Sequence, residues 1–185
     1  MKISELIIEW VNREDPEHKR IVGRYSASEL YSIIKGYLRP SQFFDKRLID
    51  ITGARLITSG ISAEDMLTKI FKEAEVDCEF QVKKEIQITD EIVLVAKPDF
   101  VFSDFILEVK CPDPNNIPNT IPEKWLYQLE AYWQAFEKEI VLGVITNPFS
   151  VKQIKYVPND DCWEKIKTAL QDFHSKVKKL NKENG

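Results

Sequence analysis

A run of strand-like residues from Cys78 to Cys111 constrains the fold of this chain more than any other segment. Its three pieces read "CEFQVKKEIQI", "EIVLVAKPDFVF" and "FILEVKC", and the short turns "TD" and "SD" join them. Period-two alternation and β-branched or aromatic residues between turn residues are typical of strands. The segment therefore predicts three antiparallel strands in a meander.

Helical patterns flank these predicted strands. "SASELYSIIKGYL" and "ISAEDMLTKIFKEAE" begin with capping boxes at Ser26 and Ser62, and Thr120 is the predicted cap of "EKWLYQLEAYWQAFEK". Two more strands, "IVLGVIT" and "VKQIKYV", are separated by a turn at "NPFS", and a final helix starts near Asp161. The order ααβββαββα predicts an α/β fold in which helices flank a central mixed sheet.

Length and composition narrow the classes of protein further. We expect residues 1–185 to form one domain, made of an N-terminal helical segment (1–58), a core (59–158) and a C-terminal helix (159–185). The formal net charge of −4 is not the basic balance usual for nucleic-acid-binding proteins, although an acidic enzyme can hold DNA in a locally basic groove.

Three widely spaced cysteines favour neither a disulfide framework nor a zinc site, and they indicate a reducing, cytoplasmic compartment. No apolar run reaches the roughly 20 residues of a transmembrane helix, and we expect no membrane partner.

The stretch "KPDFVFSDFILEVK" places charges among residues typical of a sheet interior. If Ser103 and Asp104 form a two-residue hairpin loop, Asp99 lies opposite Glu108 and shares a face with Lys110. Opposed carboxylates, with Cβ atoms about 5 Å apart, repel each other unless a cation separates them or one is protonated. A divalent cation such as Mg²⁺ or Mn²⁺ would remove the repulsion because it takes oxygen ligands.

The same hairpin also fits a solvated face with no metal. In that interpretation Asp99 pairs diagonally with Lys110, and Glu108 pairs with Lys97. Short motifs of this kind also occur by chance, so the hairpin alone leaves both interpretations open.

Two other segments carry residues whose role the helical pattern leaves open. In "GISAE", Glu64 lies at the edge of the buried stripe, and an ordinary first-turn glutamate favoured by the helix dipole would explain it. In "QLEAY", Gln128 and Tyr132 lie one helical turn apart beside an apolar stripe. On this pattern Tyr132 is a core residue and Gln128 is a flanking polar residue.

Together these motifs resemble those of the PD-(D/E)XK nuclease superfamily, in its RecB and Cas4-like branch. They are a GxxxE element at Gly60 and Glu64, the pair Pro98-Asp99 with Glu108-Val109-Lys110, and a QxxxY element at Gln128 and Tyr132. The resemblance covers about residues 60 to 132 and, more loosely, "YSASELYSIIKGYLRPSQFF". It implies a restriction-endonuclease-like core.

The resemblance also implies a function. It predicts a metal-dependent deoxyribonuclease that hydrolyses DNA phosphodiester bonds, and within this branch an exonuclease of DNA recombination, repair or replication. The implied catalytic residues are Asp99, Glu108 and Lys110, the implied ligands of Mg²⁺ or Mn²⁺ are Glu64, Asp99, Glu108 and the backbone carbonyl of Val109, and Gln128 and Tyr132 would organise the site or contact the nucleic acid. Exonuclease or endonuclease action, polarity and strand preference stay open.

Basic residues that suit DNA contact are concentrated before Glu64. They are Arg24, Lys35, Arg39, Lys46, Arg47 and Arg55. Tyr37, Phe43 and Phe44 interleave with them, as on a surface that stacks against a nucleic-acid strand. Ordinary surface charges and buried aromatic rings are the alternative.

Departures from the branch pattern lead to further expectations. Cas4-like proteins commonly hold an iron–sulfur cluster, which needs about four cysteine thiolates. Here Tyr37 stands near the place of their first cysteine, and Cys162 is alone where they commonly have three more. We therefore expect no iron–sulfur cluster. Many RecB-like proteins have histidine where Glu64 stands. The glutamate makes this site more similar to that of phage-type exonucleases. Ring-shaped trimers occur among relatives, which leaves a homo-oligomer open. A catalytically silent nucleic-acid-binding or complex-assembly subunit, and an α/β domain with a coincidental charge ladder, are the competing interpretations.

Overall fold

The computed structural model describes residues 3–12, 20–45, 50–113, 116–147 and 150–183. The helices are α1 (Ile3–Val11), α2 (Leu30–Ile34), α3 (Ile51–Glu73), α4 (Glu123–Phe136) and α5 (Asp160–Glu183). The strands are β1 (Arg24–Ser26), β2 (Glu79–Phe80), β3 (Lys84–Thr89), β4 (Ile92–Ala96), β5 (Phe100–Val101), β6 (Phe105–Lys110), β7 (Glu139–Asn147) and β8 (Ser150–Lys155). Within these ranges, none of the helices has the length and apolar character needed to cross a membrane.

The strands of the described residues form two sheets. One has five strands in the order β2-β5-β6-β7-β8, and the other has three strands in the order β1-β4-β3. In the larger sheet β6 pairs antiparallel with β5 and parallel with β7, so this sheet is mixed. The predicted fold class, an α/β arrangement with a central mixed sheet flanked by helices, is confirmed.

The predicted meander of three long strands is wrong because two of the strands break. Residues 97–99 leave the ladder between β4 and β5, and residues 81–83 leave it between β2 and β3. Pro98 has no N–H to donate to a ladder, and Gln81 has a φ of 50°, which turns the chain. The two halves of each predicted strand consequently belong to different sheets.

The helix that carries Glu64 begins at Ile51, well before the predicted start at Ser62. Asp50 caps it by accepting a hydrogen bond from a backbone N–H of the first turn at 2.8 Å. The Ser62 hydroxyl instead donates to the backbone carbonyl of Thr58 inside the helix, at 2.8 Å. Two glycines lower the helical propensity of the first half, which is why the sequence pattern missed it. Glu64 is a mid-helix residue, so its explanation as a first-turn glutamate is wrong.

The other predicted helix starts are partly right. The helix expected from Ser26 is a short 3-10 turn followed by α2, and Glu29 forms an ion pair with Arg20 at 2.8 Å instead of completing the capping box. Helix α4 begins where predicted, but Pro122 rather than Thr120 is at its cap position. The pattern did not predict α1 or β1, which are short, and the turn at "NPFS" lies partly outside the described residues.

Apolar clusters cover both faces of the five-stranded sheet. On one face Leu107 and Val109 of β6 pack with Ala63 of α3. On the other face Ile106 joins a larger cluster that includes Leu129 of α4 and residues of α5. Because side chains alternate along a strand, Glu108 shares the α4 face of β6 with Ile106.

A buried glutamate attaches α4 to the segment between β8 and α5. Glu130 is fully buried, and its carboxylate accepts hydrogen bonds from the Tyr156 hydroxyl, from the backbone N–H of Asn159 at 3.1 Å and from the Gln134 amide at 2.9 Å. The Asn159 side chain in turn accepts a hydrogen bond from the backbone N–H of Cys162, in the first turn of α5, at 3.1 Å. Glu130 thus sets the position of α4 relative to the C-terminal part of the chain.

Candidate active site

The break between β4 and β5 places Asp99 beside β6. Phe100 pairs with Leu107, so the register of this hairpin puts Asp99 opposite Glu108, as predicted from the sequence. The Oδ2 atom of Asp99 accepts a hydrogen bond from the backbone N–H of Val109 at 2.7 Å. This bond holds the Asp99 carboxylate against the strand that carries Glu108.

Glu108 lies inside β6, and its side chain is 2% exposed. Its Oε1 atom accepts hydrogen bonds from the Lys110 ammonium at 2.5 Å and from the Gln128 amide at 2.9 Å. Its Oε2 atom is buried and has no hydrogen-bond donor within the described part of the chain. The interpretation of this hairpin as a solvated charge ladder is therefore wrong. A buried carboxylate oxygen without a donor is costly, and a bound cation would satisfy it.

Glu64 approaches these carboxylates from α3, with Gln81 as its hydrogen-bond partner. The Gln81 amide donates to Oε2 of Glu64 at 3.3 Å, and the Gln81 backbone N–H donates to the carbonyl of Asp99 at 3.0 Å. Gln81 holds a left-handed φ of 50°, which is uncommon for a residue with a side chain. It therefore connects two of the acidic residues. Sequence reasoning missed Gln81 because a left-handed glutamine has no sequence signature.

The two residues of the QxxxY element meet at the site. The Gln128 amide donates to Glu108 and also to the Tyr132 hydroxyl at 2.6 Å. The Tyr132 hydroxyl donates to the backbone carbonyl of Lys97 at 3.0 Å. Tyr132 is also a core residue, only 2% exposed, so its ring packs in the interior while its hydroxyl fixes Gln128.

The acidic residues perturb one another's protonation. Burial, then the charges of Glu108 and Glu64, raise the pKa of Asp99 to about 9. Burial and then Glu108 also raise the pKa of Glu64. Burial alone would lower the pKa of Lys110, but Glu108 and Asp99 outweigh it, and the pKa lies above its ordinary value. At neutral pH a proton on Asp99 and the Lys110 ammonium thus offset the carboxylate charge.

The donor set fits a divalent metal ion. Carboxylates of Glu64, Asp99 and Glu108 and the backbone carbonyl of Val109 are the hard oxygen ligands that Mg²⁺ and Mn²⁺ prefer. In the described ranges, no three His, Cys, Asp or Glu side chains already lie at metal-binding spacing. The Lys110 ammonium already donates to one oxygen of Glu108. The carboxylates would therefore have to move closer together to bind an ion.

The three basic residues predicted to contact DNA do not join this group. Arg24 forms an ion pair with Glu85 at 2.6 Å, and Lys35 forms one with Glu123 at 2.8 Å. Arg39 is exposed at the start of the 3-10 turn Pro40–Gln42. Their assignment as DNA contacts stays a prediction.

The aromatic residues of the same segment divide into two kinds. Phe43 is fully buried, so its assignment to a stacking surface is wrong. Tyr37 is 69% exposed and Phe44 is 56% exposed, so both rings can reach a ligand. Lys46 and Arg47 lie outside the described residues, and the side chain of Arg55 is not described.

The role of Gln81 leads to a prediction about metal affinity. We expect Gln81→Gly to weaken Mn²⁺ binding about tenfold, or about 1.4 kcal/mol, because Glu64 loses its donor. Glycine adopts a left-handed φ without the cost of about 1 kcal/mol paid by a side chain, so the free energy of unfolding should not fall. Calorimetric titration with Mn²⁺ and thermal unfolding measure the two effects.

A second left-handed residue provides the control for this change. Glu75 has a φ of 51° just after α3, and Glu75→Gly should relieve similar strain without changing Mn²⁺ affinity. If Gln81→Gly and Glu75→Gly bind Mn²⁺ equally well, Gln81 does not organise the site.

Comparisons with known proteins place this site in a known fold. No protein-family model matches the chain, and no curated protein matches its sequence. The solved structure of SSO0001 is similar, with a TM-score of 0.68 and 16% identity over 94% of this chain and 85% of that protein. The alkaline exonuclease LHK-Exo from Laribacter hongkongensis has a TM-score of 0.60 and 11% identity over 88% of this chain and 94% of its own. Its complex with dAMP has a TM-score of 0.58 and 12% identity over the same shares. The chain therefore has the fold of an alkaline exonuclease.

Proposed function

We propose that this chain is a Mg²⁺- or Mn²⁺-dependent deoxyribonuclease of the PD-(D/E)XK type that hydrolyses DNA phosphodiester bonds as an exonuclease. The observation that carries the proposal is the buried Glu108 carboxylate, one oxygen of which has no donor among the described residues and which lies beside Asp99 and Lys110. Buried ionisable groups with strongly shifted pKa values, such as Asp99, cluster at functional sites. The fold shared with an exonuclease supports the same assignment.

The acidic residues would hold the metal. Glu64, Asp99, Glu108 and the Val109 carbonyl are the proposed ligands. When bound, the ion supplies positive charge beside the scissile phosphate and lowers the pKa of a water molecule. The hydrogen bond from the Val109 backbone N–H holds the Asp99 carboxylate against the strand that carries Glu108.

Lys110 and the QxxxY pair would support the reaction in different ways. The Lys110 ammonium is proposed to orient the attacking water and to offset the charge that develops on the phosphate. Gln128 holds one oxygen of Glu108, and Tyr132 holds Gln128. These two residues therefore fix the direction in which Glu108 presents its carboxylate.

The biological setting of the proposal comes from the motifs. The QxxxY element supports placement in the RecB and Cas4-like branch, without an iron–sulfur cluster, and a role in DNA recombination, repair or replication inside the cell. One observation favours a catalytically silent DNA-binding subunit instead. The Lys110 ammonium, 2.5 Å from Glu108, already satisfies part of the carboxylate charge without a metal.

A cleavage assay tests the proposal. We expect the protein with Mn²⁺ or Mg²⁺ to degrade linear DNA and to leave circular DNA intact, and we expect chelation of the metal to stop cleavage. Single- and double-stranded substrates tested side by side give the strand preference. DNA binding without cleavage in either metal would identify a silent subunit. If the protein neither binds nor cleaves DNA, the proposal fails and only the similarity of fold remains.

A further inference from the structure

Three tyrosine rings lie in a row beside α4, outside the candidate active site. Tyr31 of α2 stacks on Tyr127 of α4 with ring centres 6.5 Å apart, and Tyr37 packs against Tyr31 at 5.7 Å. Tyr127 is buried and Tyr31 is half-buried, whereas Tyr37 is 69% exposed. Other rings therefore support Tyr37 from one side, and solvent reaches it from the other.

A lysine of α5 lies at the inner end of this row. The Lys165 ammonium donates to the Tyr127 hydroxyl at 2.6 Å and lies 5.1 Å from the centre of the Tyr127 ring. Its side chain is 52% exposed, and its nearest carboxylate oxygen among the described residues, on Glu123, is 3.8 Å away. At that distance the ammonium makes no hydrogen bond to the carboxylate. Lys165 is therefore held in place by Tyr127 and keeps donors for another anion.

Glu123 is already paired with a second lysine. The Lys35 ammonium lies 2.8 Å from Oε1 of Glu123, and the Tyr127 hydroxyl donates to the same atom at 2.8 Å. The hydrogen bond from Lys35, and then that from Tyr127, lower the pKa of Glu123, so this carboxylate is ionised at neutral pH. Two ammonium groups thus share one carboxylate, and these contacts leave one positive charge in excess.

This cluster is separate from the cleft beside the proposed reaction centre. The cleft has a volume of about 620 Å³ and is lined by Glu64 and Lys110, and neither the three tyrosines nor Glu123 and its two lysines line it. Glu123 precedes Gln128 by five residues on α4, which is about 7.5 Å along the helix axis. A ligand that reaches both places has to pass the first turn of α4, which suits a chain of several nucleotides.

We propose that this cluster binds single-stranded DNA outside the cleft, where Tyr37 stacks on an unpaired base and Lys165 binds a backbone phosphate. Proteins that hold single strands combine aromatic rings, which stack on any base, with cations that contact the phosphates. A base inside a duplex has both faces covered by its neighbours, so stacking on Tyr37 favours a single strand. The proposal rests on the proposed nuclease function and names the substrate class of that site.

Binding of labelled oligo(dT) in a chelator tests the stacking contact without turnover. Tyr37→Leu should weaken oligo(dT) binding about fivefold, and Tyr37→Phe, which keeps the ring, should bind like the wild type. Neither change should affect an abasic strand or a duplex of the same length, which offer no free base. Thermal unfolding checks that both variants are folded. Wild-type oligo(dT) affinity in Tyr37→Leu, or an equal loss for the abasic strand, would overturn the proposal.

Salt dependence tests the phosphate contact. Lys165→Met should reduce the slope of log K against log salt concentration for oligo(dT) by about 0.7, the amount expected for one phosphate contact with a single strand. The matched control is Lys167→Met, because Lys167 lies on the same helix and pairs with Glu164 at 2.5 Å. This control should keep the wild-type slope. The proposal fails if the two variants have the same slope.

A change at Glu123 should act in the opposite direction. Glu123→Gln releases Lys35 and leaves both ammonium groups to the phosphates, so oligo(dT) should bind about threefold more tightly at low salt. Glu164→Gln, which removes the partner of Lys167, should bind like the wild type. Unchanged or weaker binding by Glu123→Gln would contradict the proposal.

Kinetics separate this inference from the nuclease assignment. In an active enzyme Tyr37→Leu and Lys165→Met should raise KM for single-stranded DNA with little change in kcat, because they remove binding common to the ground state and transition state. Binding of oligo(dT) that depends on Tyr37, without DNA cleavage, would keep the single-strand site and reject the nuclease. Cleavage with wild-type KM in both variants would keep the nuclease and reject the single-strand site.

Discussion

Lys110→Met is expected to reduce DNA cleavage about 10³-fold while leaving Mn²⁺ binding intact or tighter. Methionine preserves most of the length and volume of the side chain but has no charge to orient water or stabilise a phosphate. Because the Lys110 ammonium lies 2.5 Å from Oε1 of Glu108, its removal frees that oxygen for the metal. Cleavage rates at saturating Mn²⁺ and calorimetric Mn²⁺ titration measure the two properties separately.

Two further variants define what this result means. Asp99→Asn should lose both cleavage and Mn²⁺ affinity, since it removes a proposed ligand. Lys138→Met removes another partly buried lysine, which donates to the carbonyl of Phe102 at 2.6 Å, and should cleave like the wild type. Cleavage by Lys110→Met within tenfold of the wild-type rate would show that Lys110 is not a catalytic residue.

The metal-free protein is expected to lose stability as pH rises from about 4 to about 9. Burial and the charges of Glu108 and Glu64 raise the pKa of Asp99 from an ordinary 3.8 to about 9. Between these values the unfolded chain has lost the Asp99 proton while the folded protein keeps it. The unfolded state then binds fewer protons, and the free energy of unfolding falls with pH until the folded protein also ionises.

The same proton couples metal binding to pH. A metal ligand must be deprotonated, so Mn²⁺ has to displace the Asp99 proton, and its affinity should rise by up to about tenfold per pH unit below pH 9. Calorimetry in two buffers of different ionisation enthalpy should show proton release on binding. Thermal unfolding in chelator at several pH values tests stability, with Asp99→Asn expected to vary less. Identical pH profiles for the wild type and Asp99→Asn would contradict the assignment of this proton.

Local features of the fold and the site were predictable from the sequence. The opposition of Asp99 and Glu108 follows from a two-residue turn and strand alternation, and both act over a few neighbouring residues. The spacing of Gln128 and Tyr132 on α4 likewise depends only on the helical repeat. These predictions needed no knowledge of what packs against the hairpin or the helix.

Features that depend on distant parts of the chain were not predictable. The break at Pro98 separates two halves of one apolar run, and the sheet that each half joins depends on strands far away in the sequence. Gln81 acquires its role only because it follows β2 and meets Glu64 in the middle of α3. The ion pairs of Arg24 with Glu85 and of Lys35 with Glu123 join segments far apart in sequence, so composition alone made both residues look available to DNA.

Because of the buried contacts of Glu130, residues far from the proposed reaction centre should also affect activity. Helix α4 carries Gln128 two residues before Glu130, so a small rotation of the helix would withdraw the amide from Glu108. A mutational scan that scores activity should therefore find sensitive positions at Tyr156 and Asn159, which bind Glu130 and none of the proposed metal ligands. The residues from Tyr156 to Cys162 thus hold α4 in the orientation in which the Gln128 side chain reaches Glu108.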